Sequence, residues 1–277
     1  MTRYLKYLLK SLATDRSGLF WGIGFMLFWA VLWIYVFTRV EPLPPPREIL
    51  EQALKVNAAL AYTYLGVLSM ASVAIGLTQY KLFSSYAVAF AARFTRLTPA
   101  RYLIEDFLAG LAAILAYTSA TIVAVVGLTY ARFGILVLPD KLVEMIGYML
   151  LAGALWYWLS YLLSEMLLVL RKPRSQLMGM LPLMLGFGVY ATLWLDPGNI
   201  AYLLPVAPLA PLIVSSATGT KPLAGGWIFH QPWRNPSSGT EIEPTLAIAS
   251  TLAWILLLAV ASFLLMRKVT GMPREEA

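Results

Sequence analysis

The side chains that could carry chemistry in this chain are few and lie far apart. Arg101 and Glu105 stand four apart, the spacing at which opposite charges meet on one helix face, and Asp106 follows directly. Early in a helix, both carboxylates also sit towards the positive end of its dipole. Glu165 lies inside YLLSEMLLVL, ahead of Arg171. A carboxylate at that depth in an apolar run is costly to bury, so it serves either a structural ion pair or gating. His230 is the only histidine and there is no cysteine, which leaves no imidazole or thiolate set for a metal and marks His230 as a surface side chain. Ser69 and Ser72, with Thr78 and Gln79 beyond them, either line a pathway or bond to their own backbone.

Paired aspartates spaced for Mg-diphosphate chemistry, G-x-S-x-G and H-E-x-x-H are absent, as is G-x-x-x-x-G-K-S/T, the loop that cradles nucleotide phosphates. The chain is therefore expected to be no enzyme and to hold no cofactor or metal of its own. Any ATP hydrolysis, with its Mg, falls to another subunit.

The elements that must position these groups are apolar. Of 277 residues, 60% are hydrophobic and 13% charged, and the mean hydropathy of +0.72 lies outside the range of water-soluble domains. Six runs approach the roughly 20 residues a helix needs to cross the hydrocarbon: 18–38, 58–80, 102–130, 143–170, 176–195 and 245–266. The fold class predicted is an all-α membrane protein, a single transmembrane domain over 1–277. The first run is too long for a signal-peptide core and is expected to remain as a signal anchor. The third run carries Ala109, Ala113, Ala116, Ala120, Ala124 and Gly127 at spacings of three and four, a small-residue face expected to lie against protein. Pro182, Gly186 and Gly188 make the fifth the run expected to bend.

Six spans put both termini on one side, and lysine and arginine choose it. Arg3, Lys6, Lys10 and Arg16 fall on that face with Lys81, Arg93, Arg96 and Arg101, then Arg171, Lys172 and Arg174, then Arg267, Lys268 and Arg274. Half as many lie on the other (Arg39, Arg47, Lys55, Arg132, Lys141, Lys221 and Arg234), so the termini are expected in the cytoplasm and 196–244 becomes an extracellular loop of a multi-pass protein in the cytoplasmic (cell) membrane. The net charge of +7 is thereby spent on orientation. No basic patch on a soluble domain exists, which excludes nucleic acid as a partner.

Leu5, Leu8, Leu9 and Leu12 recur at helical spacing, with Arg3, Lys6 and Lys10 on the opposite arc, so 1–16 is expected as an interfacial helix among membrane lipid headgroups. Residues 84–101 read as a second amphipathic helix. Tyr86, Phe90, Phe94 and Leu97 share one arc beside Arg93 and Arg96, Thr98 caps, and Pro99 opens the next helix. An arm joined rigidly to a span is a lever; the alternative is a membrane-surface turn without a partner. Trp227, Phe229 and Trp233 suit the outer interface. The proline-interrupted stretch near 200–214 is too short for a seventh span and fits a re-entrant or surface helix.

This layout resembles the membrane subunits of type-two ABC exporters, the type V ABC permeases. The resemblance rests on the interfacial N-terminal helix, the six spans, the arm ending in Leu97-Thr98-Pro99-Ala100-Arg101, and YLLPVAPLAPLIVSSATG at 202–219, where such permeases have a Pro-x-x-Pro run outside the membrane. It implies a coupling helix between spans two and three, with Phe94, Arg96, Leu97, Thr98, Pro99 and Arg101 facing a nucleotide-binding ATPase subunit. Arg171, Lys172 and Arg174 would make a second cytoplasmic contact. A second permease subunit, identical or not, would complete the pathway. The rival expectations are an ATP-independent carrier and a non-transporting anchor or scaffold.

Overall fold

The computed structural model describes residues 3–14, 16–38, 46–94, 99–170, 176–227 and 239–266. The chain is mostly helical. α1 (Arg3–Thr14) is followed by a helical stretch from Arg16 to Phe37, in which α2 (Arg16–Leu19) and α3 (Phe25–Val31) are separated and followed by wider π turns at Phe20–Gly24 and Leu32–Phe37. Then come α4 (Arg47–Phe94), α5 (Pro99–Phe133), α6 (Leu142–Val169), α7 (Gln176–Ala191), a 3-10 segment (Gly198–Leu203), α8 (Leu209–Thr218), and α9 (Pro244–Met266). Leu223–Ala224 and Thr240–Glu241 form a two-residue antiparallel clip ahead of α9.

Among the described residues four helical stretches are long and apolar enough to cross a membrane: Arg47–Ala74, Arg101–Phe133, Leu142–Val169 and Pro244–Met266. The expected first and fifth spans fall on shorter apolar stretches, Gly22–Phe37 and Leu181–Ala191. Pro182 sits inside α7, within its first two turns.

α4 departs most from expectation. It starts at Arg47 rather than near 58, because REILEQALKVN turns Ala53, Leu54, Val56 and Asn57 inward while Arg47 and Glu51 pair at 3.1 Å on the outside. Nor do residues 84–94 form a separate short helix. They continue α4, since no proline or glycine interrupts the sequence between Gly76 and Pro99.

α4 and α6 form the interior. The apolar window of α4 is 88% buried against 17% for α9, which places α9 at the rim. Packing uses glycine at close approaches: a Cβ on Gly110 of α5 would lie 2.5 Å from the Tyr157 ring, and one on Gly66 of α4 would meet the Met149 methyl at 2.8 Å. The small-residue face of α5 is only partly covered. Ala109 and Ala124 are buried, whereas Ala116 and Gly127 are exposed, because α5 meets α6 through Gly110 and Ile114 instead.

α8 is short and largely enclosed, with Leu209 to Val214, Ser216 and Ala217 buried. It packs against α4 and α6. Ten residues span about 15 Å, too little to cross a bilayer. Trp227, expected at the membrane interface, is buried as well; its indole N–H donates to the Leu223 carbonyl at 2.8 Å.

Candidate functional site

Arg101, Glu105 and Asp106 lie in the first turns of α5, which starts at Pro99 beyond the end of α4 at Phe94. Arg101 Nε donates to Glu105 Oε1 at 2.8 Å, as the spacing requires. The arginine is about half exposed and the glutamate almost buried, so the pair anchors a carboxylate while its cation reaches the surface. Such a pair contributes little by itself, on the order of 0.3–0.5 kcal/mol.

Asp106, the next residue, points into the bundle and accepts a hydrogen bond from the Tyr157 hydroxyl of α6. Gly110, one turn further along α5, leaves room for the Tyr157 ring. Phe107 lies 5.3 Å from that ring and 5.2 Å from Trp158, centroid to centroid. Tyr157, Tyr161 and Glu165 follow each other at intervals of four, so they share one face of α6. The Tyr161 hydroxyl reaches Met266 Sδ at 3.8 Å, joining α6 to the end of α9. Glu165 is buried, with Ser160 and Ser164 also buried beside it on α6.

Among the described residues there is no cluster of three histidine, cysteine or carboxylate groups suited to a metal ion. Ser164 bonds back to the Tyr161 carbonyl at 2.7 Å, and Ser72 to the Leu68 carbonyl at 3.0 Å, which turns the Ser72 hydroxyl towards its own helix. The side chains of Ser69, Thr78, Gln79, Phe94 and Pro99, and the residues Arg96, Leu97, Thr98, Arg171, Lys172, Arg174, Phe229, His230 and Trp233, lie outside what the structure describes.

Two further polar centres went unread in the sequence, and both bind distant segments together. Asn57 of α4 accepts from Trp33 Nε1 at 3.1 Å and from Thr38 Oγ1 at 2.8 Å, fastening the end of the first helical stretch to α4. A lone amide inside ALKVNAALAY was the available signal, since such a group in an apolar helix needs a partner. The second centre is Lys55, whose ammonium lies 2.5 Å from Asp140 Oδ1 in the α5–α6 loop. Nearby, Arg132 donates to the Ile34 carbonyl and stacks over Phe133 at 4.7 Å.

No protein-family model matches the chain, and no curated protein matches it.

Proposed function

We propose that this chain is the permease subunit of an ATP-driven ABC transporter, an exporter working as a dimer with separate ATPase subunits in the cytoplasmic membrane. In this reading the four long apolar helices, together with Gly22–Phe37 and α7, make six spans, and the bias of lysine and arginine puts both termini in the cytoplasm.

One observation carries the reading: α4 is uninterrupted from Arg47 to Phe94. Its 48 residues measure about 72 Å at 1.5 Å each, against roughly 40–45 Å for a bilayer with its headgroups. A rigid end must therefore project from the membrane. In this reading the projecting end is the one at Phe94, and α5 begins beyond it at Pro99. A motor pressing on residues 94–101 would move two spans at once. Through Asp106 and Tyr157 the push would reach α6, and through Tyr161 and Met266 it would reach α9. Glu165, on the same face of α6, then serves in a structural ion pair or hydrogen bond, with gating as its alternative role.

The test is affinity purification in mild detergent with identification of every partner. A nucleotide-binding ATPase should accompany the native chain and be lost from a Phe94→Asp/Arg96→Asp variant that still inserts. Retention by the variant would remove the arm from the interface. Flux through liposomes holding this chain alone, without nucleotide, would replace the transporter reading with an ATP-independent carrier.

A further inference from the structure

The geometry points to a latch: Lys55 and Asp140 hold α8 closed in the bundle, at the end opposite Phe94, and withdrawal of Lys55 releases it. The last carbonyls of a helix have no partner within it. In α8 the Ser215 carbonyl is taken by the Gly219 N–H at 2.8 Å. The next two are taken by the α5–α6 loop, Ser216 by the Lys141 N–H at 2.9 Å and Ala217 by the Asp140 N–H at 3.2 Å. The end of α8 is thus satisfied by a neighbouring segment, and its position depends on where that segment sits.

The side chain of Asp140 ties that position to α4 and fits closely against Gly219. Oδ1 receives Lys55 of α4 at 2.5 Å. Oδ2 stands 2.5 Å from where a Cβ of residue 219 would be, and residue 219 has φ +72°. Only glycine meets both conditions, a left-handed backbone and no side chain. Residues 140–141 therefore join α4, the end of α8 and the start of α6, where Lys141 accepts the Met145 N–H at 3.0 Å.

The strength of the hold suits a switch. The Lys55 and Asp140 side chains are 29% and 44% exposed, so water can replace either partner at small cost and the pair breaks without unfolding anything. At the other end of α8 the turn is strained: Val206, fully buried and branched at Cβ, has φ +68° and its carbonyl accepts the Leu209 N–H at 2.9 Å. A left-handed valine persists only when its surroundings enforce it, which makes 206 the point about which a freed α8 would turn. Lys55 also belongs to the rod that ends at Phe94, so tilting the rod displaces both. That coupling rests on the transporter reading; the hold on α8 does not.

Absence of cysteine makes the test direct, because Ser216→Cys would carry the only thiol. The purified chain in lipid nanodiscs is treated with a maleimide and the labelling rate measured. Ser216 is buried, so labelling should be slow, and Lys55→Gln or Asp140→Asn should each raise it about threefold to fivefold, the population shift that a partly exposed ion pair can hold. Lys55→Arg should leave it slow. A second reporter, Ala152→Cys in the middle of α6, should not change in any of these backgrounds. Unchanged labelling at 216 in both neutral variants would overturn the latch, and so would an equal rise at 152, which would mean that the pair steadies the whole bundle. If the labelling behaves as expected but no ATPase is ever found with the chain, the latch stands and the transporter reading falls.

Discussion

The Tyr157 hydroxyl of α6 donates to the Asp106 carboxylate of α5, and Gly110 stands one turn away with no side chain to obstruct the ring. Hydrogen bond and close approach together tie the start of α5 to α6. Tyr157→Phe keeps the ring and removes one donor from a buried carboxylate. It should cost about 1–3 kcal/mol, read as a lowered thermal midpoint in detergent. A double variant with Asp106→Leu should lose less than the two single changes added together.

Two glycines of α5 separate packing from propensity. Gly110→Ala should destabilise by about 1–3 kcal/mol, because its methyl would stand 2.5 Å from the Tyr157 ring in a core that cannot yield. Gly127→Ala meets nothing within 4 Å and should be neutral or up to about 1 kcal/mol stabilising, as alanine is the better helix former. The same thermal midpoint distinguishes them.

Asn57→Leu should be among the most damaging single changes in α4. It strips the Trp33 indole N–H of its acceptor and the Thr38 hydroxyl of one, all within the buried interior. A loss of about 2–4 kcal/mol is expected. The check is the unfolding midpoint together with Trp33 fluorescence, which should shift as the first helical stretch parts from α4.

Gly219→Ala tests the end of α8. The left-handed backbone alone costs a residue with Cβ about 1–2 kcal/mol, and here the Cβ would also press on the Asp140 carboxylate. The variant should be destabilised, and the amides of Asp140 and Lys141, which donate to the Ala217 and Ser216 carbonyls, should exchange hydrogen faster than in the native chain.

Much of the frame was legible because it is local. The 102–130, 143–170 and 245–266 runs fall on α5, α6 and α9, since length and hydropathy are properties of one segment. Proline at 99 opens α5, and Arg101 reaches Glu105 across one turn. The start of α4 was hidden because REILEQALKVN carries four charges, and its inward stripe becomes visible only once there is an interior for it to face.

What the sequence by itself determined is the helical class, the apolar character of the long helices and the ion pair closed within a single turn. Only the tertiary structure decided that α4 and α6 are central and α9 peripheral, that α8 is enclosed, and which polar groups meet. Asp106 and Tyr157 are 51 residues apart, Lys55 and Asp140 85. In a helix apolar on every side, the faces towards lipid and protein are made of the same residue types, so periodicity names no partner. Close approach at glycines and the need of each buried polar group for a bond select the arrangement instead.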